Sequence, residues 1–101
     1  MQVTAWTNGS GIYGIRVGSA NRNRFFQPIW EEIEVDIADV IHEFRLTRGF
    51  WKDCPEFRDS RDIPIETWLL QQRVLPWPPG VPPKFVLLPR GDAQFKLDIW
   101  R

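Results

Sequence analysis

The chain has a single cysteine, Cys54, so it can form no internal disulfide and contains no paired-cysteine zinc pattern. Its longest apolar runs are a handful of residues, too short to span a bilayer. The opening "MQVTAWTNGSG" lacks a basic start followed by an apolar stretch, the form of a secretory signal. Net charge is lacking too, because 13 basic and 13 acidic residues cancel. A dedicated duplex-DNA binder usually carries a basic excess, so that class is disfavoured. Nucleophile motifs are equally missing. These absences lead us to expect a cytoplasmic protein with no membrane partner, no metal and no cofactor.

What is present fits one globular domain over residues 1–101, near the commonest domain size. Hydrophobic residues make up 43% and charged residues 26%, a balance that argues against disorder. Charge is sorted along the chain. Residues 1–30 hold Arg16, Arg22 and Arg24 and no acid, whereas residues 31–44 hold Glu31, Glu32, Glu34, Asp36, Asp39 and Glu43 and no Lys or Arg.

Alternation marks most of the strands. "QVTAW" and "IYGIRV" read as a pair joined through "TNGSG", whose Asn-Gly favours a tight turn. "WEEIEVDI" places Ile33, Val35 and Ile37 inward and Glu32, Glu34 and Asp36 outward. "HEFRLTRGFW" sets Phe44 and Leu46 against Glu43, Arg45 and Thr47, and pairing these two strands would oppose the acidic row to the arginines. "KDCPEFRDSRD" reads as a loop. "IPIETWLLQQR" is the one expected helix, capped by Asp62 or Ser60, with Pro64 in the first turn and Ile65, Trp68 and Leu69 facing the sheet. "LPWPPGVPP" ends it, and "KFVLLP" and "QFKLDIW" around "RGDA" form a hairpin. The expected fold class is α+β: a curved antiparallel sheet or small open β-barrel of about six strands, with one helix late in the chain in the order β-β-β-β-α-β-β.

The candidate site lies in "GSANRNRFF", read as a loop. Asn21, Arg22, Asn23 and Arg24 beside Phe25 and Phe26 combine amides, charge and flat apolar faces. With Arg16, Arg45, Arg48 and Trp51 they make an arginine–aromatic surface. Such a surface suits a protein partner or self-association, since tryptophan and arginine are enriched at interface hot spots. Zero net charge and six tryptophans favour that reading. A single-stranded RNA or DNA, stacked on the phenylalanines with phosphates at the arginines, is the alternative. The competing structural account turns the phenylalanines inward and pairs the arginines with the acidic strand. A ribonuclease-like enzyme using His42, Glu43 and arginines is a further alternative, although His42 and Glu43 would point to opposite faces of a strand. Cys54 with His42 as base is the remaining nucleophile pairing, and "DCPEF" supports it poorly. The expectation is therefore a non-enzymatic binding module.

Overall fold

A computed structural model describes residues 1–100 of the chain. Its strands are β1 (Gln2–Thr7), β2 (Tyr13–Arg16), β3 (Glu32–Ile37), β4 (Val40–Arg45), β5 (Glu56–Arg58), β6 (Lys84–Gly91) and β7 (Gln94–Ile99). Two α-helices, α1 (Ser19–Phe25) and α2 (Pro64–Gln71), and a 3-10 turn over Arg48–Trp51 complete it. The class is α+β, as expected, and the sheet is mixed and nearly closed into a barrel.

The strand order is β4-β3-β7-β6-β1-β2-β5. Neighbours run antiparallel except β3 and β7, which run parallel with Val35 opposite Phe95 and Ile37 opposite Leu97. The C-terminal hairpin thus inserts between the first strand and the third. The sheet curls until its two end strands meet, bringing the rings of Phe44 and Phe57 within 5.0 Å. No strand pairing joins β4 to β5, so the barrel keeps a seam.

Inward residues of every strand form one core: Val3 and Ala5, Ile15, Ile33 and Val35, Phe44, Phe57, Phe85 and Leu87, Phe95 and Leu97 are all buried. Burying each large side chain contributes roughly 1.5–3 kcal/mol, so the alternation read in the sequence is the main stabilising pattern. From α2, Ile65, Trp68 and Leu69 close the core, with Trp68 edge-on to Phe85 at 4.6 Å. Beneath α1 and the 3-10 turn, Phe26 stacks on Phe95 at 4.8 Å and leans on Phe50 at 5.1 Å. The other tryptophans serve mostly as partial lids. Trp30 and Trp51 flank this cluster, Trp77 meets Tyr13, and Trp100 is exposed.

Several expectations are corrected. Residues 19–25 are a helix rather than a loop, entered through Gly18 at φ 83°. Its sequence carries no apolar stripe, so no helical period shows. The sheet has seven strands rather than six, because "EFR" in the expected loop pairs with β2. It is not wholly antiparallel. Only Glu32 of the acidic row stands opposite an arginine, Arg45; Glu34 faces Glu43 and Asp36 faces Ile41. The row's neighbours on the other side are on β7, where Gln94 Nε2 donates to Glu34 at 3.1 Å and Lys96 stands across from Asp36 without a hydrogen bond to it. Helix α2 is capped by neither Asp62 nor Ser60. Asp59 does it, its Oδ1 accepting from Ile65 N–H and its Oδ2 from Glu66 N–H, each at 2.9 Å.

Candidate functional site

Much of the arginine–aromatic segment is used by the fold itself. Asn21 Nδ2 donates to the carbonyls of Gln2 (2.9 Å) and Val17 (3.0 Å), tying α1 to the start of β1. Arg22 Nη1 donates to the carbonyls of Phe50 (3.0 Å) and Lys52 (2.9 Å), and its Nε to Asn23 Oδ1 (3.1 Å). Phe26 is buried, and Phe25 is half-buried under the Arg24 guanidinium at 5.2 Å. Arg22 therefore brings Asn21–Phe26 together with Arg48 and Trp51, and leaves Asn23, Arg24 and Arg48 exposed. The remaining two candidates are held elsewhere. Arg16 Nη1 sits 3.4 Å from Glu56, a buried carboxylate that Arg58 also contacts at 2.8 Å. Arg45 stands across from Glu32.

A second surface lies at the seam, where no sequence signal pointed. Leu46 N–H donates to the Glu31 carbonyl at 2.8 Å, which sets the phase of the β3–β4 ladder. Antiparallel pairs alternate, so Val40, His42 and Phe44 turn their backbone groups towards β3. Those of Ile41, Glu43 and Arg45 then point away from the sheet. Glu34 N–H, donating to Ala93 on the other side of β3, confirms the phase. Among the described residues nothing meets these outward groups.

Two adjoining grooves open beside that edge. One, of about 440 Å3, lies between Ile41–Phe44 and the segment carrying Ser60, Asp62 and Pro64. The other, of about 400 Å3, runs along α2 over an apolar floor that includes Ile37, Val40, Ile63 and Trp68. His42, Asp62 and Pro64 line both. Val40, Ile41 and Ile63 are 55%, 63% and 48% exposed, an unusual density of uncovered aliphatics beside a free strand edge. The formal charges in the two linings are Glu43 and Asp62, with no lysine or arginine.

Asp59 underlies this surface. Burial pushes its carboxyl above the ordinary carboxylate range, while the Glu66 and Ile65 amides pull the other way. His42 is near enough to contribute a smaller opposing effect. The hydroxyls lining the two grooves with His42 are Ser60 and Thr67. Cys54 lies exposed beside Gly49 of the 3-10 turn, so the cysteine and the histidine occupy different parts of the molecule. Among the described residues no group of three or more His, Cys, Asp or Glu could hold a metal ion, and no helix is long and apolar enough to cross a membrane.

Compared with protein-family models, curated proteins and solved structures, the chain finds no significant match. The functional reading therefore rests on these surfaces alone.

Proposed function

We propose that the chain is a small non-enzymatic binding module that recognises another protein, docking it at the seam between β4 and α2. The observation that carries this reading is the unpaired outward backbone of Ile41 and Glu43 beside the exposed aliphatics Val40, Ile41 and Ile63. Free edges are normally blunted by charge, proline or cover; Glu43 and Arg45 charge this one, yet at Ile41 it carries an uncovered isoleucine and opens on a groove. The arginine–aromatic segment supports a docking role less, because Asn21, Arg22 and Phe26 serve internal contacts. A free, exposed Cys54 fits a reducing compartment, hence work in the cytoplasm. The test is photo-crosslinking in the native cell, with a benzophenone amino acid replacing Ile63 in one variant and Ile29 in another. Ile29 is 82% exposed and lies beyond α1. Protein adducts from position 63 and not from 29 are expected. Adducts only from 29 would move the site to α1, and none from either would reject the module.

A second reading, single-stranded nucleic acid on α1 and the 3-10 turn, has one observation in its favour. Arg22 joins these elements so that Arg24, Arg48 and Lys52 are exposed around a half-buried Trp51. Labelled RNA or DNA should then bind at about 50 mM salt and lose affinity steeply by about 200 mM, as counterion release requires. Arg24→Ala with Arg48→Ala should abolish that binding without disturbing the Arg22 bonds.

A further inference from the structure

We infer that the seam accepts an extended segment of a partner chain, bearing alternating apolar and basic side chains, as an eighth strand against β4. This rests on the protein-binding reading and specifies what is bound and how.

Ile41 and Glu43 each present one N–H and one C=O to the seam, spaced as alternate residues of a strand, roughly 6.5–7 Å apart. An extended chain satisfies all four groups. A helix satisfies its own and would leave them bare. Side chains of an added strand alternate between two faces. One set would enter the groove over Val40, Ile63 and Trp68, where apolar side chains fit. The groove walls carry Glu43 and Asp62 and no lysine or arginine, so charge complementarity selects basic neighbours.

The outer face carries carboxylates beside the same edge, though Arg90 and Lys96 are close to them. Asp36 lies directly across from Ile41, and its Oδ1 is buried without a hydrogen-bond partner. It faces a shallow depression shared by Glu34, Ile41 and Arg90. An outward residue paired with Ile41 would sit two strand spacings from Asp36, about 9–10 Å away. A lysine or arginine laid across Ile41 spans that gap to the surface beside Glu34 and Asp36, while the buried oxygen itself stays out of reach.

A lone segment fits this short, walled edge more readily than a second copy of this chain, which must bring its own Ser60–Pro64 wall to it. Two-fold pairing of β4 with itself about Glu43 would set two carboxylates face to face, which is destabilising. Pairing about Phe44 would need the edge at Arg45, and there Phe57 of β5 already packs against Phe44. Only the Ile41–Glu43 end is open, and it is walled on its far side by Ser60–Pro64.

The test is selection of a random twelve-residue peptide library on the intact protein, followed by affinity measurement and amide exchange on the winners. Enriched peptides should alternate basic and apolar residues and slow exchange at Ile41 and Glu43. Ile41→Pro deletes a donor that serves no bond within the fold and should weaken binding at least tenfold; Glu43→Lys should do likewise. If Ile41→Pro does not fold, Glu43→Lys and the exchange pattern decide. Peptides held in the groove without protection of Ile41 and Glu43 would overturn strand addition while leaving protein binding intact. Enrichment of acidic peptides would overturn the assigned chemistry. Absence of any binder, or binders indifferent to both variants, would overturn the inference and the seam as a docking site together. A dimer in sedimentation that Ile41→Pro abolishes would hand the edge to a second copy, which also overturns it.

Discussion

Asp59 provides the sharpest test of the physical account, because its burial and its hydrogen bonds pull in opposite directions. Its side chain accepts from two α2 amides while only 7% exposed. Asp59→Ala removes a helix cap, about 0.5–2 kcal/mol, and leaves the buried Ile65 N–H without a partner, about 1–3 kcal/mol more. Relief of the buried charge offsets part of that sum, so a net loss of about 2–3 kcal/mol at neutral pH is expected. Asp59→Asn keeps one acceptor and should lose about 1 kcal/mol. The dependence on pH is the decisive part. Desolvation raises this carboxyl above its ordinary 3.8, so between that value and the raised one the folded state binds more protons than the unfolded chain. The contribution of the group is therefore fully present below 3.8 and is lost as pH rises through the folded value. The asparagine variant has no such proton. Its deficit relative to wild type should widen on going from pH 7 towards pH 4, measured by urea unfolding of tryptophan fluorescence. A deficit that narrows in acid would mean that the two amide bonds outweigh burial, and the reasoning would fail.

Three further outcomes are expected. Ala38 and Asp39 turn the β3–β4 hairpin at φ 52° and 69°, so Ala38→Gly should raise stability by about 0.5–1 kcal/mol in the same urea assay. A Cβ on Gly14 would overlap the Phe57 carbonyl oxygen and approach Arg58 Cα to 3.0 Å, so Gly14→Ala should cost about 2–3 kcal/mol by prising β5 from β2; a cost near zero would mean that the strands are not so close. Arg22→Ala should cost about 1–2 kcal/mol and speed amide exchange across Arg48–Lys52, whereas a residue held only for a ligand would leave both unchanged.

The sequence showed those parts of the fold whose residues repeat with a period. Ile33, Val35 and Ile37, or Ile65, Trp68 and Leu69, announce an inward face because burial selects them at fixed spacing. β5 is three residues long with Phe57 as its single inward side chain, too short for any alternation to register. α1 lacks an apolar stripe because it is anchored by Asn21 and Arg22 through side chain–backbone bonds, which depend on carbonyls remote in the chain. The Asp59 cap has no local signature in the sequence, because residues 60–63 separate it from the start of the helix it caps, Pro64. At the candidate site, the composition of residues 19–26 is legible in the sequence, but its use is not. Hydrogen bonding to Phe50 and Lys52 turns Arg22 from a ligand candidate into a tie. The seam left no trace in the sequence, since an edge exists only once strand order is fixed.

That order also explains why the seam stays open. β5 would have to continue past Arg58 to pair along β4 as far as Ile41. Instead Asp59 leaves the sheet, its N–H still donating to the Tyr13 carbonyl while its carboxylate starts α2. One residue thus follows the end of β5 and caps α2. The segment Ser60–Pro64 swings away from β4 to join them, and the space it vacates is the groove beside Ile41 and Glu43. Closing the barrel from within would require β5 to lengthen at the expense of the cap and of the Ile65, Trp68 and Leu69 contacts that follow it. The uncovered edge is accordingly a consequence of how the core is completed. An occupant of the seam would come from outside the described residues, and it would meet an edge held in place by the same carboxylate whose titration the Asp59 variants read.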